Sequence, residues 1–215
     1  MASTIQVDKV QDTGGNTILS SNSTGTFTYE AASGANFTAL DADNVSAGTL
    51  AIARGGTGAA TLAAAGLTST PSFSVKRHAA TQSVSSDTTT KVQYNTENFD
   101  TDDAYDATTN YRFTVPSGAA GKYFFNAKIA ASAGNANMNR ASIKIYKNGS
   151  QFTSIFYGFE TNPIRMCGPE ISAVMDLSVS DYIEVFAYYE TVNGAALNID
   201  DGEEGKVQFY GFKLI

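Results

Sequence analysis

The chain has 215 residues, of which 42% are hydrophobic and 16% charged, and its formal net charge is -7. An average soluble domain carries roughly 25% charged residues, so this chain is too apolar for disorder and suits burial in an assembly as well as in a core. The acidic balance excludes electrostatic binding to nucleic acid or to a membrane surface, and a single cysteine, Cys167, excludes an intrachain disulfide framework.

The first residues, Met1-Ala2-Ser3-Thr4-Ile5, have neither a basic n-region nor an apolar h-region, so no signal peptide is expected. The longest small-apolar stretch, Ala59 to Leu67, is too short to span a bilayer, and no membrane insertion is expected.

Aromatic residues mark an internal boundary. Of the 24 Phe and Tyr, only Phe27, Tyr29 and Phe37 precede residue 71. Large side chains supply most of the burial in a core, so residues 1–70 cannot build one alone. The reading is an attachment segment over 1–35, a Gly/Ala-rich stalk or neck over 36–70 and a head over 71–215. Within the first segment, Thr17-Ile18-Leu19 and Thr26-Phe27-Thr28-Tyr29 are brief strand candidates. Asp12-Thr13-Gly14-Gly15-Asn16 supplies turn chemistry. Ala59 to Ala65 has high helix propensity and ends at Gly66, which predicts a short helix.

From Phe73 onward, short β-rich runs recur between turns. Lys91 to Tyr94 is one, and Tyr111, Phe113 and Val115 alternate with polar residues in the next. Tyr123, Phe125, Ala127 and Ile129 follow, then Ile143 and Ile145, which lead into the hairpin turn Lys147-Asn148-Gly149-Ser150. Gln151 to Phe159, Ile171 to Val179, Ile183 to Tyr189 and Val207 to Ile215 complete the series. About eight strands with no helical periodicity predict an all-β sandwich or jelly roll. Phe124, Tyr146, Phe186, Tyr210 and Phe212 fall on the face opposite the core set. An isolated sandwich keeps that face polar, so these five are the expected subunit interface.

The spaced motifs Asn98-Phe99-Asp100, Ala104-Tyr105-Asp106, Tyr111 to Pro116, Gly121 to Phe125, Lys147-Asn148-Gly149, Leu177 to Val185 and Phe209 to Phe212 resemble the C1q/tumour-necrosis-factor-like jelly roll. Ser180 stands where that family usually has Gly. The resemblance implies a homotrimer of closely packed heads, with recognition by loops and no active site. Leu40 to Leu50, followed by Ala53-Arg54-Gly55-Gly56-Thr57-Gly58-Ala59, resembles a sequence that recurs in bacteriophage tail-fibre proteins, and residues 1–10 resemble phage structural proteins. These likenesses imply a virion fibre. Its N-terminus meets other virion proteins, and its head binds a host surface glycan or protein. The alternative is a purely structural virion part (head fibre, decoration or baseplate) without receptor binding.

No enzyme is expected: His78 and Cys167 lie far apart in sequence, and no pair of carboxylates has other support. Tyr157, Tyr188 and Tyr189 are the candidate glycan-stacking residues. Asp102, Asp103 and Asp106 are the candidate Ca2+ ligands, since hard cations take several oxygens. Asp200, Asp201, Glu203 and Glu204 form a second acidic run; neither run has EF-hand spacing, so solvated loops are the favoured reading and no cofactor other than Ca2+ is considered.

Overall fold

The computed structural model describes residues 9–21, 27–29, 70–79, 81–133, 135, 137–200 and 206–214. The expected helix over 59–65, the 35/36 boundary and Asp201, Glu203 and Glu204 lie outside them. The chain divides into two compact units, Met1–Thr49 and Leu50–Ile215.

The first unit contains a small antiparallel sheet of β1 (Lys9–Gln11), β2 (Thr17–Ser21) and β3 (Phe27–Tyr29), in that order. The turn before β2 is built by Asp12. Its Oδ1 accepts from the amides of Gly14 and Asn16, and its Oδ2 from Asn16 Nδ2, all at 2.9 Å. This is the local side-chain capture for which Asp is favoured in turns.

The second unit is all-β among its described residues. Its strands are β4 (Ser72–Lys76), β5 (Gln82–Val84), β6 (Thr90–Lys91), β7 (Thr96–Asp100), β8 (Tyr105–Asp106), β9 (Arg112–Thr114), β10 (Gly121–Lys128) and β11 (Ala131–Ser132). Then come β12 (Met138–Lys147), β13 (Ser150–Gly158), β14 (Met166–Cys167), β15 (Glu170–Leu177), β16 (Tyr182–Thr191), β17 (Leu197–Ile199) and β18 (Gln208–Lys213). Eight of them carry the sandwich. In chain order the first pairs with the eighth (β4 with β18), the second with the seventh (β9 with β16), the third with the sixth (β10 with β15) and the fourth with the fifth (β12 with β13). A long hairpin rolled on itself gives this nesting, which is the jelly roll.

One sheet runs β15-β10-β18-β4-β7; the other runs β13-β12-β16-β9-β8 with β6 also paired to β16, six strands in all; and a smaller one runs β14-β11-β17-β5. Period-2 alternation sends Tyr123, Phe125, Ala127, Phe73 and Phe209 inward from the five-stranded sheet, and Ile143, Ile145, Val185, Tyr189 and Phe113 inward from the six-stranded one; all are buried. Phe73 sits at the centre of this core, stacked on Phe113 and Tyr105 with centroids 5.0 and 5.3 Å away and edge-on to Phe209 at 4.9 Å.

One expectation changes here. Lys91 to Tyr94 is not a strand beyond Thr90–Lys91; Val92 and Tyr94 enter the core from irregular backbone instead, and Tyr94 donates its hydroxyl proton to the Lys128 carbonyl at 3.2 Å. The turn after β12 is as expected, with Asn148 at φ 51° and Gly149 at φ 76°, the left-handed pair that a two-residue hairpin of matching twist requires. Just beyond it β13 bulges: Tyr146 pairs with Gln151 but Ile145 with Thr153, so Phe152 has no partner in the ladder.

Candidate functional site

The outer face of the five-stranded sheet is ordered in rows. Ladder pairing lines up Val174, Phe124, Phe212 and Ser72 across four strands. The next row holds Ser172, Asn126, Tyr210, Ser74 and Phe99, and the third holds Glu170, Lys128, Gln208, Lys76 and Thr96. The pair Lys122–Asp176 lies on the other side of the apolar row, so charged rows flank an apolar centre along the strands. Val174, Phe99 and Phe212 are 59%, 52% and 37% exposed. Phe124 and Tyr210 are half-buried, and the Phe124 ring centroid lies 6.5 Å from that of Tyr210 and 5.4 Å from that of Phe212. A shallow depression of about 270 Å³ opens among Ser72, Phe99, Tyr210 and Phe212.

Phe124, Tyr210 and Phe212 therefore share one surface. Tyr146 and Phe186, expected at the same interface, lie on a different surface. They lie on the outer face of the other sheet, with ring centroids 4.2 Å apart. The short strand β6 runs beside them, and Lys91 sits 5.9 Å over the Phe186 ring. Their apolar surface is met within the chain.

That second face has a small site of its own. On β12, Arg140, Ser142 and Lys144 point outward by alternation. Ser142 pairs with Phe156 of β13 on one side and with Tyr188 of β16 on the other. The two rings wall a trough of about 290 Å³ whose rim also includes Gln151 and Ser154. Arg140 donates from Nε to Glu160 Oε1 at 2.8 Å and reaches Glu190 Oε2 at 3.1 Å. Lys144 lies 5.2 Å over the Tyr188 ring and 3.1 Å from Thr89 Oγ1. The Tyr188 hydroxyl donates to Asp87 Oδ1 at 2.6 Å, and that acceptor pushes the phenol up to about 12.

The three candidate tyrosines part company. Tyr188 lines this trough. Tyr157 lies on edge strand β13 opposite Ala141, outside the trough, with its ring parallel to Phe159 at 6.4 Å. Tyr189 is fully buried, and burial pushes its phenol well above the usual range. It points into the core with Val185 and Ala187, so it offers no ring face to a ligand. This is a correction that the alternation of β16 explains.

Asp102, Asp103 and Asp106 line one open depression of about 340 Å³ together with Arg112. Asp106 is already engaged: Oδ1 accepts from the Thr108 and Thr109 amides and the Thr108 hydroxyl, and Oδ2 from the amide and side chain of Asn110. Those bonds hold its carboxyl well below the usual range. Among the described residues no three metal-ligating side chains converge. Burial pushes the Cys167 thiol up, the opposite of an activated thiolate. Among the described residues no helix is long and apolar enough to cross a membrane.

Arg140, Ser142, Lys144 and Phe156 are the site residues that sequence reasoning missed. Alternation along β12 puts the first three on one face. Counting back from the Asn148-Gly149 turn brings Ile155 opposite Ser142, but the bulge at Phe152 moves the register by one and puts Phe156 there instead.

No family model matches the chain, and no curated protein does. Among solved structures it is similar to the globular domain of zebrafish complement 1qA protein, at 17% identity and a TM-score of 0.46, over 67% of this chain and 98% of that one. The jelly-roll assignment rests on the nested strand pairing described above.

Proposed function

We propose that this chain is a non-enzymatic, homotrimeric fibre protein of a bacteriophage virion, whose N-terminal segment docks on other virion proteins and whose head adheres to a host surface receptor. The observation that carries the self-association is the apolar row Val174–Phe124–Phe212 with Phe99 beside it, on a face with no covering element among the described residues. Such a patch on a soluble domain marks an interaction surface. Copies of the same chain are its occupant, and the threefold number follows from the jelly-roll resemblance of the sequence. The virion setting follows from the fibre-like motif around Arg54-Gly55-Gly56-Thr57-Gly58.

Light scattering of the full chain tests the assembly. The expected mass is three times 22.7 kDa. Val174→Lys places a charge on an exposed position and is expected to give a monomer with unchanged far-ultraviolet circular dichroism. A wild-type monomer overturns the trimer. Adhesion is tested separately by adding purified chain to susceptible cells before whole virions. Reduced virion attachment is expected; unchanged attachment at saturating protein overturns receptor binding and leaves the structural role.

A further inference from the structure

The apolar row on the five-stranded sheet has two unlike ends. At one end, on edge strand β15, Val174 is 59% exposed, the most exposed large hydrophobic side chain of that sheet among the described residues. Its branched side chain has little rotamer freedom to lose, so it stands as a stiff apolar knob. At the other end the surface sinks. Ser72, Ser74 and Gly211 are the small residues lining the depression of about 270 Å³, and Phe99, Tyr210 and Phe212 are the rings beside them. Strands β10 and β18 separate the knob from Ser72 on β4. The two are therefore ~14 Å apart across the sheet, and the knob cannot reach the depression of its own chain.

Any closed ring of more than two copies is heterologous, so one patch of each copy meets a different patch of the next. A face with a knob at one end and a hole at the other meets that requirement by itself. The charged row beside it fixes how the copies are turned. That row begins at Glu170 on β15 and reaches Lys76 on β4. Neither has an ion-pair partner among the described residues; Glu170 accepts from Asn126 Nδ2 at 2.9 Å. A rotation axis along the strands keeps each residue at its own height. It brings Val174 of one copy to the depression of the next, and Glu170 of one copy to Lys76 of the next, so that opposite charges meet. An axis across the strands would lay the apolar row on a charged one.

We propose that the copies close into a ring in which Val174 of each is seated in the Ser72–Phe99–Phe212 depression of the next, with Glu170 paired to the next copy's Lys76. The proposal rests on the reading of the chain as a homotrimer and names the residues that each copy contributes to its neighbour's surface.

Charge exchange tests it, read by sedimentation of the full chain. Glu170→Lys and Lys76→Glu each set like charges against one another across the contact. Each is expected to raise the concentration at which the trimer dissociates by roughly tenfold or more. The double variant restores opposite charges and is expected to return to within about twofold of wild type. The two positions are ~14 Å apart within one chain, too far to rescue one another there. Cross-linking gives a second reading. In a Cys167→Ser background, Val174→Cys combined with Ser72→Cys is expected to give a covalent trimer on oxidation. Val174→Cys alone is expected to stay a single chain after denaturation. The ring contact is overturned by a double charge variant no better than the singles, by a covalent dimer from Val174→Cys alone, or by no cross-link from the double cysteine variant. In each case the trimer stands if the sample still sediments as one. Wild type that sediments as a single chain overturns both.

Discussion

The two outer faces of the head carry similar numbers of aromatic rings but treat them differently. On the six-stranded sheet three rings have a cation of the same chain beside them, Lys91 with Phe186, Lys144 with Tyr188 and Arg140 with Phe156, while Tyr146 packs on Phe186. Lys91 and Arg140 in turn meet carboxylates. On the five-stranded sheet Phe124, Tyr210 and Phe212 meet one another, and the charges are pushed to the ends of the strands, as in the pair Lys122–Asp176. Aromatic content alone thus does not tell the two faces apart. What distinguishes them is whether the polar chemistry of the face is closed within one chain.

The comparison breaks most sharply at its ion pairs. Lys91 Nζ lies 2.5 Å from Glu184 Oε1, and the Glu184 side chain is only 7% exposed. Lys91→Met keeps the aliphatic stem but strands a buried carboxylate. The expected loss is about 2–3 kcal/mol in urea unfolding, less than for a fully enclosed pair because Lys91 is a third exposed. Lys122→Met removes the corresponding pair from the other face, where the partners are 60% and 73% exposed, and is expected to cost less than about 0.5 kcal/mol. Equal losses would show that the six-stranded face is no more internally closed than its counterpart.

The five-stranded face can also be disturbed from beneath. Gly211 pairs with Phe125 in the β18–β10 ladder and points inward, and a Cβ there would run into the Phe125 ring. Gly211→Ala is expected to cost about 1–3 kcal/mol by overpacking, measured as a fall in the unfolding midpoint. Adding Phe125→Leu should recover part of the loss, and strict additivity would rule out the contact as its cause.

Much of this head was legible in the sequence because its strands obey a simple period. Tyr123, Phe125, Ala127, Ile183, Val185 and Ala187 are inward where alternation puts them, and the Asn-Gly turn is where its chemistry requires. The jelly-roll order itself came from spaced motifs, since alternation cannot say which strand pairs with which. The sites were less legible for two physical reasons. Phe124 and Phe186 look alike along their own strands; only the topology shows that they face away from each other's sheet, with β6 beside the second. The trough depends on a one-residue bulge at Phe152, and nothing about a Phe between Gln and Thr announces a bulge. Tyr189 was misjudged as a binding residue although its spacing from Val185 and Ala187 already placed it in the core.

The smallest effect concerns the turn where the chain passes from one sheet to the other, between β15 and β16. Ser180 stands there at φ 70°, in the left-handed region that an L side chain occupies at a cost of about 1–2 kcal/mol. The backbone around it is fixed from both sides: its amide donates to the Val115 carbonyl at 3.0 Å, the Asp181 amide to the Ser178 carbonyl at 3.1 Å, and Asp181 Oδ2 takes the Ser178 amide at 2.8 Å. The turn therefore cannot relax to suit serine. Ser180→Gly removes the strain but gives the unfolded chain more freedom, which takes back part of the gain. The net expectation is about 0.5–1 kcal/mol of added stability, a rise of about 2 °C in Tm for a chain of this size. Ser178→Gly, at a position without positive φ, should lower Tm instead. If both glycines act alike, strain at residue 180 is not what the turn carries, and the link between the two sheets is softer than its hydrogen bonds suggest.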